Sequence, residues 1–417
     1  MHRRYGPICK EEALFNVHVI NVFDKADIEK VLRSGGGRRH PVRPPIEAIV
    51  NYRRSRPDRY ASAGLVNEQG EAWHFLRTHL TSDLTSPKTI SCQLPQIQEI
   101  ADDWCNFIRY KRDSKCVISA LEGAAMSLGL ESSCALVLGR RLGFLASTLS
   151  PVVQELSEAV CQHFLATRDT YYGLPWWRLF STPAYRQLAR SEETIYTLAA
   201  QLVRTDREAV QNSPVLKSVM NAPIDDKEKI AALVDFIAAG IYTLKNSLIF
   251  LLYLVASHPG AQEKILEDSS KSYLKACISE AFRLIPTAFC LARVTTEPLD
   301  LSGYAVEAGS VVVCHTGIAC KNEEYFNNAN EFRPERWLGE ERQKTLSNAT
   351  FLVSPFGAGK RMCPGRRFIE QVLPVFLETI VRNFEMDVVN KMELQFEFLL
   401  APKGPTSMVF KERDWSP

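Results

Sequence analysis

The chain carries no excess of either charge: 50 Lys plus Arg stand against 48 Asp plus Glu, a formal net charge of +2. A global field that would gather nucleic acid or an acidic membrane is thereby excluded, and a charge-steered partner must use a local patch. HExxH, a Walker-type phosphate loop and GxGxxG are all missing. The one glycine cluster, Gly35, Gly36 and Gly37, runs into Arg38 and Arg39 without phosphate-loop spacing and reads as a helix stop. The eleven cysteines are odd in number and contain no CxxC pair, which excludes a zinc ribbon and a disulfide framework and suits reduced thiols inside a cell. Residues 1–12 hold Arg3 and Arg4 but no apolar h-region, and Gly6-Pro7 with Glu11 and Glu12 interrupts any amphipathic transit helix, so no compartment signal is expected here. Repeats, low-complexity tracts and linkers are absent as well.

What is present is apolar bulk and helical spacing. With 417 residues, 46% of them hydrophobic, the chain can bury a large core; its length would permit two or three domains, but without a linker it reads as one domain over 1–417. Helices are expected over 27–34, 71–84, 94–110, 120–130, 151–165, 183–204, 226–256, 273–284 and 366–383. β-like runs fall at 14–19 and then late, at 299–306 with a Ser302-Gly303 turn, at 310–314 and at 397–410. The fold class is therefore mainly α with a smaller β-rich part. The stretch 226–256 opens on an Asp225-Asp226-Lys227-Glu228 capping pattern, stops before Pro259 and would span roughly 45 Å at helical rise. It is apolar nearly all round, yet Asp235, Lys245 and Asn246 would be costly in lipid. A central helix of a large soluble domain, its few polar residues facing a cavity, fits better than a membrane span.

The chemistry concentrates in Pro355-Phe356-Gly357-Ala358-Gly359-Lys360-Arg361-Met362-Cys363-Pro364-Gly365, followed by a helix from Arg366. A lone intracellular cysteine is usually a small buried hydrophobe. Here Gly357 and Gly359 allow close backbone approach, Phe356 can shield a sulfur, and a helix start beyond Cys363 brings amide hydrogens and the positive dipole end to the thiol. These surroundings favour a thiolate, a ligand that donates electron density to iron and assists O–O cleavage.

The run resembles the haem-ligand loop of the cytochromes P450, Phe-x-x-Gly-x-Arg-x-Cys-x-Gly. Its five fixed positions would arise by chance on the order of once in ten thousand such chains. Three further motifs follow the family pattern. Glu280-Ala281-Phe282-Arg283 is similar to its Glu-x-x-Arg helix, Phe332-Arg333-Pro334-Glu335-Arg336-Trp337 to its Pro-Glu-Arg segment, and Trp73-His74-Phe75-Leu76-Arg77 to its Trp-x-x-x-Arg. The resemblance implies the P450 fold, with haem b between the long central helix and the Cys363 loop. It makes Cys363 the axial ligand, places Trp73, Arg77, Arg293, Phe356, Arg361 and Gly365 around the haem, and brings Glu280, Arg283 and Arg336 together as a buried structural cluster. Guanidinium suits the propionate contacts because its planar fork matches a carboxylate. Ala239-Gly240-Ile241-Tyr242-Thr243 resembles the oxygen-binding segment, with Ala239 and Gly240 opening a groove and Thr243 delivering protons. Tyr242 stands where many relatives carry an acid, so the proton path must use water or another acid. Lys245, about 200° round the helix from Thr243, is expected to face away from the haem.

Five further stretches resemble the ecdysone-oxidising members of the arthropod mitochondrial branch: 55–62, 65–70, 235–241, 286–293 and 398–403. That resemblance implies hydroxylation of a steroid, most specifically ecdysone, with O₂ and electrons from an adrenodoxin-like ferredoxin and its NADPH reductase. Ile241, Ala288 and Phe289 become candidate substrate contacts. The implied location is the matrix side of the mitochondrial inner membrane, with the endoplasmic reticulum as the alternative, and some membrane association. Lys360, Arg366 and Arg367 flank Cys363, and a basic helix start opposes the macrodipole preference, so they are expected to bind the acidic ferredoxin. The chain departs from the family in the short connector 267–273, which is expected to lack a small helix pair near the redox face. A haem-binding protein without turnover, or a haem-thiolate enzyme acting on another steroid or lipid, remains open at this point.

Overall fold

Proline fixes φ near the helical value and has no N–H to lose, so it opens helices readily. Helices begin here on Pro87, Pro151, Pro183, Pro214 and Pro259. The computed structural model describes residues 2–12, 18–34, 41–146, 151–204 and 213–414. Its longer helices are α1 Lys25–Ser34, α2 Glu47–Arg54, α3 Gly70–Leu80, α4 Pro87–Lys111, α5 Leu121–Leu138, α6 Pro151–Tyr172 and α7 Pro183–Arg204. They continue as α8 Pro214–Asn221, α9 Asp226–Ala256, α10 Pro259–Glu267, α11 Ser272–Leu284, α12 Glu341–Ala349 and α13 Arg366–Asn383. The strands are β1 Ile8–Glu11, β2 Val19–Val22, β3 Val117–Ile118, β4 Leu291–Val294, β5 Leu299–Leu301, β6 Tyr304–Val306, β7 Val311–Cys314, β8 Phe384–Val388, β9 Leu394–Glu397, β10 Leu399–Pro402 and β11 Met408–Glu412. The expected β-run at 14–19 lies outside the described residues up to 17, and glycines 35–37 lie outside them too.

Four strands form a mixed sheet in the order β1-β2-β7-β4, in which β2 runs parallel to β7 and β4 antiparallel to it. A second sheet has the order β3-β11-β8, and β5–β6 and β9–β10 are hairpins. The β9–β10 turn needs only Phe398, which takes a left-handed φ of 66°. The strand expected over 397–410 is thus interrupted twice: Phe398 turns β9 back onto β10, and residues 403–407, with Gly404 at a left-handed φ of 79°, separate β10 from the sheet strand β11.

Helix α9 is the spine. Its first half joins α5 and α7 in one apolar cluster and its second half joins α4, α11 and α13 in another. Close approach to α5 depends on missing side chains: a Cβ on Gly240 would lie 2.5 Å from Ser133 Oγ, and one on Gly129 would lie 3.0 Å from the Ile241 carbonyl oxygen. Helices α5 and α9 are both long and apolar enough to cross a membrane, but 89% and 67% of their apolar windows are buried inside the protein. The polar residues of α9 do not face a cavity as expected. Asp235 accepts two hydrogen bonds from the buried Arg53 of α2, at 2.6 and 3.0 Å. Asn246 donates to the Leu400 carbonyl, and the Lys245 ammonium sits 4.2 Å above the Tyr242 ring. Arg53 also donates to Glu192 of α7 at 3.2 Å, so one guanidinium ties α2, α7 and α9 together.

The short connector closes cleanly. Asp268 accepts N–H bonds from Ser270 and Tyr273 at 2.9 and 2.6 Å, Lys271 takes a left-handed φ of 58°, and its ammonium pairs with Glu378 of α13 at 2.6 Å. A tight turn between α10 and α11 therefore stands where a helix pair was expected to be missing, and it leaves α11 well anchored.

Candidate active site

The loop before α13 is shaped by two glycines in the left-handed region, Gly357 at φ 76° and Gly359 at φ 69°, which a side chain would strain. It is closed by the Cys363 N–H donating to the Phe356 carbonyl at 2.8 Å. Helix α13 starts immediately afterwards, capped at Gly365, and the backbone N–H groups of Gly365 and Arg366 point at the Cys363 sulfur. A Cβ on Gly365 would come within 3.7 Å of that sulfur. The sulfur lies deep among protein atoms yet can be reached by solvent, which is the geometry of a ligand at the floor of a concave site. Burial pushes its thiol up, while the two amides and the nearby Arg77 and Arg43 pull it down. The Phe356 ring packs edge-on against Phe282 of α11, 5.4 Å away, so the loop is braced against the helix that lies beside α9.

Four guanidiniums converge near this loop. Arg77 of α3 donates to the Met362 carbonyl at 2.9 Å, and Arg293 of β4 to the Ala358 carbonyl at 2.9 Å. Arg361 donates to the carbonyls of Pro41 and Glu68 at 3.1 and 2.7 Å, with its guanidinium 4.1 Å above the Trp73 ring. Trp73 is buried and acts here as a platform for Arg361. Burial, and then Arg43, Arg293 and Arg77, push Arg361 down to about 9. Among the described residues its buried Nη1 has no partner. An orphaned donor in a cluster of like charges is costly unless an anion completes it. The two carboxylates of haem are such an anion, and the donor set fits them. Arg43 belongs to this cluster, yet no motif in the sequence pointed to it. The only signal was its setting in Pro41-Val42-Arg43-Pro44-Pro45, where the flanking prolines hold the backbone extended.

On α9, Ala239 is exposed and Thr243 half-buried, whereas Gly240 is used for the contact with Ser133. The Thr243 hydroxyl donates to the Ala239 carbonyl at 2.8 Å, which leaves its oxygen free to accept. Ile241 is fully buried at the α5 contact, so it has no surface to offer a substrate and leaves the candidate set. Tyr242 is also buried, stacks on Phe164 of α6 at 4.3 Å and donates to the Glu397 carboxylate of β9. Ala288 and Phe289 are half-buried before β4, and the Phe289 ring lies 5.5 Å from Phe396. Phe396 meets Tyr172 of α6 and Phe398 meets Tyr171, giving an aromatic wall that the sequence reading found only at Phe289.

Away from these residues, Glu280 of α11 accepts from Arg283 at 2.9 and 2.8 Å, from Arg336 at 3.0 Å, from the Trp337 indole at 2.9 Å and from the Arg333 N–H at 3.1 Å. At the start of α13, Arg366 pairs with Glu370 at 2.6 Å, and Arg367 donates to the Thr85 carbonyl at 2.6 Å. Lys360, Arg366 and Arg367 are all exposed. Among the described residues no group of His, Cys, Asp and Glu could hold a metal ion by itself.

A family model described as cytochrome P450 matches residues 1–410. The chain belongs to the cytochrome P450 family. It is 41% identical to ecdysone 20-monooxygenase of Drosophila melanogaster, across 99% of this chain and 82% of the relative. It is 30% identical to a probable cytochrome P450, CYP44, of Caenorhabditis elegans, across 99% and 86% of the two chains. It is 28% identical to the mitochondrial cytochrome P450 302a1 of Drosophila melanogaster, across 92% and 82%. This P450 is accordingly a monooxygenase whose cofactor is haem, with iron held by a cysteine thiolate, and it uses O₂ and redox partners.

Proposed function

We propose that this P450 hydroxylates ecdysone to 20-hydroxyecdysone, with Cys363 as the thiolate ligand and Arg77, Arg293 and Arg361 holding the haem carboxylates. The observation that carries the substrate reading is the 41% identity to ecdysone 20-monooxygenase over 99% of the chain. The aromatic wall of Tyr171, Tyr172, Phe289, Phe396 and Phe398 supports it, since flat apolar faces suit a steroid nucleus. Electrons come from an adrenodoxin-like ferredoxin and its NADPH reductase on the matrix side of the mitochondrial inner membrane. This part rests on relatives that are named mitochondrial. The bound haem supplies oxygen activation. Overall, one atom of O₂ enters a C–H bond and the other leaves as water, with two electrons and two protons consumed.

The chain's own contribution to proton delivery falls to Thr243. With its proton on the Ala239 carbonyl, its oxygen can anchor a water beside the reacting site. Tyr242 cannot serve, because burial and then the Glu397 carboxylate raise its phenol far above the usual range. Thr243→Ala is expected to keep haem and ecdysone binding while the product formed per NADPH falls steeply and hydrogen peroxide rises, as for loss of a positioned acid–base group. Tyr242→Phe should leave that ratio intact and lower stability by about 1 kcal/mol through the lost hydrogen bond. Equal uncoupling by both variants would put the phenol in the proton path after all.

The ferredoxin reading predicts that charge reversal at Lys360, Arg366 or Arg367 raises the ferredoxin concentration needed for half-maximal turnover and weakens its salt dependence. Arg366 already shares its charge with Glu370, whereas among the described residues Arg367 donates to a carbonyl, so Arg367→Glu should have the larger effect. A matching change in substrate affinity would instead mean that the loop has misfolded.

A spin-state titration with ecdysone, beside unrelated steroids and fatty acids, tests the substrate directly. Ecdysone should shift the haem to high spin at the lowest concentration, and ferredoxin-dependent turnover should give one hydroxylated product. A stronger response to another lipid would reject ecdysone, and product formed without electrons would reject hydroxylation.

A further inference from the structure

We propose that Arg43 is a further haem-carboxylate-binding residue, completing a ring with Arg77, Arg293 and Arg361. This rests on the family's cofactor and is independent of the ecdysone reading.

The backbone around Arg43 is fixed from three sides. The Val42 carbonyl accepts from Val294 of β4 at 3.3 Å, the Arg43 N–H donates to the Gln69 side-chain oxygen at 3.2 Å, and the Pro41 carbonyl accepts from Arg361 at 3.1 Å. The same Gln69 oxygen accepts from Arg361 Nη2 at 2.8 Å, so one amide sets both arginines. Prolines at 41, 44 and 45 remove backbone freedom and give the segment nowhere else to settle. The Arg43 guanidinium donates to the Val66 carbonyl at 2.6 Å, and it lies within electrostatic reach of Arg293, Tyr171 and Cys363.

The hydrogen bonds that these four guanidiniums make within the described residues end on amide oxygens, never on a carboxylate. Elsewhere the chain pairs its buried arginines with acids: Arg53 with Asp235 and Glu192, and Arg283 and Arg336 with Glu280. Four cations gathered around carbonyls repel one another, and a partner that repays this must be anionic and polydentate. A neutral steroid cannot be that partner. The two haem carboxylates can, because each accepts several N–H bonds and guanidinium forks match them in pairs.

The experiment follows haem transfer from the ferric holoenzyme to excess apomyoglobin, together with the resonance Raman band for propionate bending. Arg43→Ala should lose haem about tenfold faster, the cost of one charge-assisted hydrogen bond, and the band should shift. Arg43→Lys keeps the charge without the fork, so it should fall between the two. Unchanged transfer and an unchanged band would overturn the proposal. So would faster transfer in Arg43→Ala with an unmoved band and full rescue by lysine, since that pattern describes a structural cation. A shift confined to ecdysone affinity would assign Arg43 to the substrate side instead. An ecdysone titration that fails while the haem readouts behave as expected would leave the carboxylate assignment standing.

Discussion

Cys363→Ser should take up haem and show no strongly red-shifted Soret band in its reduced carbonyl complex, and its hydroxylation activity should fall below detection. The shift requires a thiolate opposite the carbonyl, and neither a serine oxygen nor, in Cys363→His, an imidazole donates comparable charge. Several other cysteines sit in settings that oppose a thiolate. Burial pushes Cys105, Cys314 and Cys320 up to about 12, where a thiolate does not form at neutral pH. Cys290 is the nearest rival, since it lies close to the aromatic wall. Burial raises it to about 11, and no amide or arginine offsets that. Only at Cys363 do two helix-start amides and two arginines oppose the cost of burial. Absorbance of the dithionite-reduced, carbon-monoxide-saturated protein decides the matter. A persistent red-shifted band in Cys363→Ser would mean that the ligand lies elsewhere in the chain.

The Cys363 loop is legible as a motif because its glycines, its arginine and its cysteine occupy fixed steps, and because a helix with strong periodicity follows. The structure draws α7, α9 and α13 with the bounds that apolar spacing predicted, 183–204, 226–256 and 366–383. Errors arose where one residue outweighed a pattern. The helix expected over 94–110 begins at Pro87 and carries Pro95 inside it. Apolar side chains on every face of α5 hid its length, and only the left-handed Gly139 ends it. Two-turn helices such as α2 and α8 are too short for periodicity to show, although Ser213-Pro214 is a fair start signal. At the site, the resemblance of 235–241 marks a stretch but not which of its side chains is open to a substrate, and Ile241 packs against Gly129 of α5 instead. Arg43 was missed for a related reason: its importance lies in what converges on it from α3, β4 and the ligand loop, and no local spacing encodes that.

Glu280→Ala should be the most destabilising single substitution away from the haem. The Glu280 carboxylate accepts from both Arg283 and Arg336 and also from the Trp337 indole and the Arg333 amide, with all three charged side chains buried. Removing the acid leaves two guanidiniums without a counter-charge, a cost of about 3–5 kcal/mol for a buried network, which is a large part of a typical total stability. The damage would spread through the carbonyls that the arginines hold. Arg283 donates to those of Cys320, Ala329 and Glu331, and Arg336 to those of Asn327 and Asn328. These bonds pin the irregular chain between α11 and the ligand loop, so loosening them should also reduce haem retention. Glu280→Gln keeps the shape and one acceptor oxygen, and should lose less. Arg336→Lys keeps the charge but cannot reach the carboxylate and two carbonyls at once, so it should resemble Glu280→Gln more than a neutral exchange. Urea unfolding followed by the carbonyl spectrum and by far-ultraviolet circular dichroism measures both effects. If Glu280→Ala unfolds at the parent's midpoint with full haem content, the cluster is not the lock that its geometry describes. If the spectrum is lost well before the secondary structure, the segment it pins unfolds as a separate unit.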